Sequence, residues 1–252
     1  MAAARVITRK SKAEIAAMRR AGRIVAEVLA LCEEALRPGT SAAALDALAE
    51  DHIRSRGAVP SFKGYHGFPS SICVSIDSEV VHGIPGRRTI REGQVVSIDV
   101  GAIVDGWHGD AARTFIVGRA QRDVHDLVEA TRRALAAGVA AAVPGNRIWD
   151  ISAAVEDVAL PRGYGVVRPY VGHGIGQAMH EEPQVPNYRT KSKGIELAPG
   201  ICLAIEPMFT LGAGEVETRP DGWTVVTRDG SIAAHFEDTL VVTEDGPQVL
   251  TA

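Results

Sequence analysis

This sequence has few cysteines, no surplus of basic charge and no long hydrophobic run. Its three cysteines, Cys32, Cys73 and Cys202, lie far apart in 252 residues. Their odd number and their spacing exclude a disulfide framework and a CxxC zinc site, and they point to a reducing cytoplasm. Acidic residues outnumber basic ones by 31 to 27, for a net charge of −4. Global attraction to nucleic acid or to an anionic lipid surface is therefore not expected. No apolar stretch approaches the roughly 18 residues that span a bilayer, so a membrane protein is not expected either. The basic start MAAARVITRKSK has no apolar core behind it and does not read as a secretory signal. Against these absences stands an ordinary globular composition, with 46% hydrophobic and 23% charged residues. That composition excludes a mostly disordered chain.

Periodicity predicts a long amphipathic helix over 11–36. It starts at a capping box, Ser11 with Glu14, and carries Ile15, Met18, Ile24, Val25, Val28, Leu29 and Leu36 at helical spacing. Pro38-Gly39 stops it. A second helix is expected over 41–54, then a strand at 71–76 and a hairpin of 94–104 with 111–117 turning at Asp105-Gly106. Two more helices follow near 121–142 and 147–159, then strands near 200–211, 223–227 and 233–243. The order repeats. Pro38-Gly39 to Arg56-Gly57 falls on Pro144-Gly145 to Arg162-Gly163 at an offset of 106, with Glu50-Asp51 on Glu156-Asp157. At an offset of 107, His66-Gly67 falls on His173-Gly174, and Asp99 falls on Glu206. We read residues 1–10 as a tail and 11–252 as one α/β domain of two related halves, about 11–120 and 121–252, sharing one core.

Four carboxylates stand in apolar strand patterns: Asp99 in VVSIDVGAIV, Asp110 in HGDAARTFIV, Glu206 in ICLAIEPMF and Glu237 in AAHFEDTLVV. Strand interiors disfavour Asp, and an unpaired buried carboxylate is costly. One such residue reads as a satisfied structural acid. Four need a common counter-charge, which two divalent cations would supply. Asp99 and Asp110 fall on opposite arms of one hairpin. Ser97, Asp99 and Gly101 share one strand face, as do His235, Glu237 and Thr239. Pro207 holds Glu206 extended. His173, in Gly172-His173-Gly174-Ile175-Gly176, is the nitrogen candidate, with glycines that permit close backbone approach and unusual dihedrals. Its alternative is a hydrogen-bonded structural histidine. The glycine spacing is neither the dinucleotide fingerprint nor a P-loop. One imidazole with four carboxylates suits Mn, Fe(II), Co or Zn, and two such ions can activate a water between them.

The segments YHGFPSSICVS (65–75), VHGIPG (81–86), SIDVGAIVDGWHGDAARTF (97–115), GHGIGQAMHEEP (172–183), IEPMF (205–209) and FEDT (236–239) resemble the type I methionine aminopeptidases over nearly the whole chain. The resemblance implies the pita-bread fold, with two pseudo-twofold-related halves and helices packed outside a curved antiparallel sheet. It implies removal of the initiator methionine from nascent chains whose second residue is small. Carried over, Asp99 binds one metal, Asp110 and Glu237 bridge two, and His173 and Glu206 complete the other. Glu206 shuttles the proton of the attacking water, His180 hydrogen-bonds the substrate carbonyl, and His82 contacts the scissile amide nitrogen. Tyr65, Phe68, Cys73 and Trp223 form the methionine pocket with His82 and His180. For Phe68 and Cys73 the other reading is plain core packing. Phe62 and Met179 depart from the residues common at those positions, and both touch the pocket wall. Asp77 and Ser231 suggest a monovalent-cation loop. The resemblance further implies a monomer in the cytoplasm, meeting its substrates near the ribosome.

Two other readings compete. A proline-specific aminopeptidase or dipeptidase of the same fold usually carries a large N-terminal domain, whereas about ten residues precede the first helix here. A non-catalytic pita-bread binding protein would have lost metal ligands, and all five are present. The spans from His180 to Glu206 and from Glu206 to Glu237 are too short for the insertion of the type II enzymes.

Overall fold

A computed structural model describes residues 7–252. Of the tail expected over 1–10, residues 1–6 lie outside the described residues. The part that is described is docked: Lys10 is buried, and its backbone N–H donates to Gly200 O at 2.7 Å.

Helix α1 (Lys12–Ala35) begins where the capping box places it. Ser11 Oγ accepts from Glu14 N, and Glu14 Oε2 accepts from Ser11 N at 2.6 Å. Helix α2 (Ala42–Ser55) is capped by Ser41, whose Oγ accepts from Ala44 N. Strands β1 (Val59–Pro60), β2 (Ile72–Ile76), β3 (Glu79–Val81), β4 (Val95–Val104) and β5 (Trp107–Ile116) follow. Then come α3 (Arg122–Ala141) and α4 (Ile148–Ala159). The remaining strands are β6 (Gly165–Val166), β7 (Gly172–Gly174), β8 (Glu181–Val185), β9 (Cys202–Ile205), β10 (Met208–Thr210), β11 (Val216–Thr218), β12 (Val225–Thr227), β13 (Ala233–His235), β14 (Glu237–Thr243) and β15 (Gly246–Val249).

The main sheet runs β1-β4-β5-β14-β9-β7-β8, with β2 also on β4 and β15 also on β14. It is antiparallel throughout and curled. Period-2 alternation gives it two chemically different faces. Val74, Val96, Ile98 and Val100 face α1 and α2, where Val25, Val28, Leu45 and Ile53 complete a core. Leu203, Ile205, Leu240 and Val242 do the same beneath α3 and α4 with Leu127, Ile151 and Val155. Helices thus cover the outer face, and the residues in between point to the concave side.

The structure departs from the sequence reading at specific places. The hairpin turn is two residues long, with Asp105 and Gly106 at φ 52° and 79°. The tight primed turn starts β5 at Trp107 instead of 111. The strand expected over 200–211 breaks at Glu206-Pro207, and that over 233–243 breaks at Phe236. The internal repeat also pairs differently. Ser75 is opposite Ser97 in β2–β4, and His173 is opposite Ala204 in β7–β9. At the 107-residue offset, Ser75 therefore occupies the place of His173. His66 lies instead in a 3-10 turn, Tyr65–Gly67.

Candidate active site

The β4–β5 register sets Asp99 opposite Ala112 and Gly101 opposite Asp110. Directly paired residues share a face, so Asp99 and Asp110 are diagonal neighbours on the concave side. On the other edge of β5, β14 sets Glu237 opposite Ala112 as well. Asp99, Ala112 and Glu237 form one row across three strands, with a small side chain between two carboxylates. Further along, Ala204 of β9 lies between Thr239 of β14 and His173 of β7, and Glu206 follows the end of β9. Five neighbouring strands of the sheet, β4, β5, β14, β9 and β7, each bring one of the five expected ligands to the same hollow.

The backbone fixes these groups closely. Thr239 Oγ1 accepts from Asp110 N at 3.0 Å and donates to Asp110 O at 2.8 Å. His173 donates from Nδ1 to Gly174 O at 2.9 Å, which leaves Nε2 as the bare nitrogen, 3.7 Å from Glu206 Oε1. The glycines beside His173 serve close approach alone, because neither has a positive φ. A Cβ on Gly172 would strike Ala204 O, and one on Gly174 would strike Glu182 O.

The electrostatics are those of a cation site. Asp110, His173 and Glu237 are each at most 6% exposed. Burial pushes the carboxyls of Asp99, Asp110, Glu206 and Glu237 up. Asp99 raises Asp110 and Glu206 further, and Asp110 and Glu206 raise Glu237. Burial lowers His173 to about 3, so its ring is neutral and able to ligate. Asp99 Oδ1, Asp110 Oδ1, Glu237 Oε1 and His235 Nε2 are buried without a hydrogen-bond partner. Orphaned acceptors in such number are rare in native interiors, and divalent cations would satisfy them. Two donor trios each lie within 4.8 Å, Asp110–His173–Glu237 and Glu206–His235–Glu237. Asp99 belongs to neither trio and joins the cluster through Asp110.

A cavity of about 260 Å³ opens above this floor, lined by every metal, catalytic and pocket residue read from the sequence, while Asp77 and Ser231 lie outside it. Phe62, Phe68, Cys73 and Met179 form its buried apolar wall, with Tyr65 and Trp223 packed against them. Phe68 meets Trp223 edge-on at 5.1 Å. Burial pushes the Cys73 thiol well up, so Cys73 is a small apolar wall residue and no nucleophile. His82 sits in the left-handed region at φ 58°, its ring edge-on to Tyr170 at 5.5 Å. Burial lowers His82 to about 4. His180 shares a 2.7 Å hydrogen bond between Nδ1 and Tyr65 OH, and its ring lies 4.3 Å from that of His173. The loop carrying His180 is held from outside. Lys10 Nζ reaches Glu181 Oε2 at 2.7 Å, and Glu181 Oε1 accepts from Ala178 N.

Two lining or neighbouring histidines were not read as site residues. His66 is exposed at the cavity mouth, and its sequence signal, the match of His66-Gly67 to His173-Gly174, points to a strand position instead. His235 did carry a signal: it is two residues before Glu237 in a strand, so alternation alone puts it on the same side. Asp77 and Ser231 lie on adjoining loops, with Asp77 O accepting from Ala233 N. The Asp77 carboxylate is already used by Val95 N and Gln94 Nε2.

Comparison with known proteins adds names to this geometry. The family model of metallopeptidase family M24 matches residues 16–244. A methionine aminopeptidase of Clostridium acetobutylicum is 51% identical, over 96% of this chain and 97% of its own. The crystal structure of methionine aminopeptidase from Thermotoga maritima superposes with a TM-score of 0.96 at 42% identity, covering 98% and 99% of the two chains. A prolidase from Pyrococcus furiosus shares the fold at a TM-score of 0.79 and 24% identity, and 66% of that longer chain is covered.

Proposed function

Because the chain belongs to metallopeptidase family M24, we propose that the cluster of carboxylates and imidazoles is the metal centre of its peptidase chemistry. The activity is that of a methionine aminopeptidase, a metal-dependent hydrolase that removes N-terminal methionine, on a pita-bread fold. The observation that carries the site reading is the row of buried, partnerless oxygens beneath an apolar cavity. The proline-specific reading is supported by likeness of fold alone.

Asp99, Asp110, His173, Glu206 and Glu237 would hold two divalent ions of the Co, Mn, Fe(II) or Zn type. Such ions supply Lewis acidity to a carbonyl and lower the pKa of water. The protein's own groups do the rest. Glu206, whose carboxyl is raised by burial and by Asp99, takes the proton of the attacking water and passes it to the leaving amine. His180, oriented by Tyr65, donates to the substrate carbonyl oxygen. His82 contacts the scissile amide nitrogen. The apolar wall of Phe62, Phe68, Cys73, Met179, Tyr65 and Trp223 receives the methionine side chain, and its polarizable sulfurs suit a thioether.

We extend this to nascent chains with a small second residue, met near the ribosome by a cytoplasmic monomer. The three buried free thiols support a reducing compartment. Among the described residues no helix is long and apolar enough to cross a membrane. Residues 11–252 act as one catalytic unit, a reading supported by β14 joining β5 to β9. A monovalent-cation loop at Asp77 and Ser231 is supported by the buried, partnerless Ser231 Oγ.

The test is methionine release from Met-Ala-Ser with Mn(II), Co(II) or Fe(II) and again with chelator, beside Met-Leu-Ser and Ala-Pro-Ala. We expect fast, metal-dependent release from Met-Ala-Ser alone, lost in Glu206→Gln. Cleavage of Ala-Pro-Ala instead would move the chain to the proline-specific branch.

A further inference from the structure

We propose that His235 is a second nitrogen donor of the metal centre, acting with Glu206 and Glu237 on one divalent cation. The proposal rests on reading those two carboxylates as metal-holding.

His235 is 1% exposed and ends β13. Its backbone is clamped on both sides by one hydroxyl. Thr114 Oγ1 accepts from His235 N at 2.9 Å and donates to His235 O at 2.6 Å. Thr114 is held in turn by Ser97 at 2.8 Å. The position of the ring is therefore built, and its Nε2 has no hydrogen-bond partner. A buried structural histidine would have one.

Nε2 lies 3.7 Å from Glu237 Oε2 and 3.9 Å from Glu206 Oε2. Both separations exceed the roughly 2.7–3.2 Å of a hydrogen bond. They fit donors that share a cation: with bonds of about 2.0–2.2 Å, two ligands on one ion stand roughly 3–4 Å apart. His173 stands in the same relation to the other oxygen, with Nε2 3.7 Å from Glu206 Oε1. Glu206 thus turns one oxygen towards each of two bare imidazole nitrogens. With one imidazole the centre already suits Mn, Fe(II), Co or Zn; a second shifts it towards the ions imidazole favours, such as Zn or Fe(II).

The experiment is equilibrium binding of Zn(II) and of Mn(II) to the full chain, by competition with a chelating dye, in wild type, His235→Gln and His173→Ala. Melting of each metal-free variant checks that it folds. We expect His235→Gln to weaken Zn(II) binding at least tenfold and Mn(II) binding less than threefold, and to alter the visible absorption of the Co(II) form. Nitrogen NMR of the histidine-labelled wild type needs no variant, and Zn(II) should move both the His173 and the His235 Nε2 resonances. If His173→Ala loses metal while His235→Gln keeps wild-type Zn(II) affinity, and only His173 moves in the spectrum, the inference is overturned. If His173→Ala also keeps its metal, the metal-centre reading itself falls.

Discussion

Thr239 grips Asp110 by its peptide group, accepting from the Asp110 N–H and donating to the Asp110 carbonyl through one hydroxyl. Both residues are buried. Strand β5 is thereby pinned to β14 at the residue whose carboxylate enters the buried cluster. Thr239→Val keeps the shape and removes both bonds. Two buried backbone groups are left unpaired, at a cost of about 1–3 kcal/mol each. We expect the apo protein to lose about 2–6 kcal/mol of stability in urea melts. Divalent-metal affinity should fall alongside, as Asp110 gains freedom. A variant that melts like wild type and binds metal equally would show that the grip is dispensable.

Ala112 stands between Asp99 and Glu237 in one row. Ala112→Val suits the strand backbone but puts two methyl groups where the carboxylates converge. The chain should fold, by circular dichroism, and bind divalent metal at least tenfold more weakly. Unchanged metal affinity would mean that the carboxylates do not close over Ala112.

Tyr65 orients His180 through a single hydrogen bond. Its loss in Tyr65→Phe should lower kcat by about two- to tenfold, the range of one such bond, with bound metal unchanged. Because Phe keeps the ring in the pocket wall, KM for a Met-Ala peptide should move less than kcat. A large KM change with constant kcat would assign Tyr65 to substrate packing alone.

His82 should not shape the pH profile. Burial lowers it to about 4, so at pH 6 it is only about one per cent protonated, against most of a free histidine with its ordinary pKa near 6.5. The sign follows: its ring is neutral above about pH 4 and gains charge only below. Profiles of kcat/KM between pH 5.5 and 8 should have the same acid limb in wild type and in His82→Gln, at different heights. An acid limb that disappears in the variant would make His82 the titrating group.

The site was more legible than the architecture around it, for a physical reason. A carboxylate in an apolar strand is expensive wherever it lies, so Asp99, Asp110, Glu206 and Glu237 declared themselves without any knowledge of the sheet. Helices α1 and α2 were equally plain, because Ser11 and Ser41 cap them locally. The strands that went unseen are short, such as β7 at Gly172–Gly174 and β8 across Pro183. Their glycines and proline read as loop, and only pairing with neighbours makes them strands. The repeat misassigned His66 for a related reason: a two-residue match cannot distinguish a turn from a strand, whereas the register puts Ser75 in that place. His235 was visible in the alternation of its strand, but a lone histidine in such a setting is most simply a core residue.

The position of β14 also bears on when the enzyme comes into being. This strand lies late in the sequence, yet it occupies the middle of the sheet, flanked by β5 and β9. Before it docks, those two strands are open edges of the kind that invite pairing with other chains, and its partner on β5 lies more than a hundred residues earlier, a long-range contact that forms slowly. Glu237 is its first residue. The pairing that seals the two edges is therefore the one that brings Glu237 beside Ala112 and into the carboxylate cluster, and a half-folded chain has neither a closed sheet nor an assembled cluster.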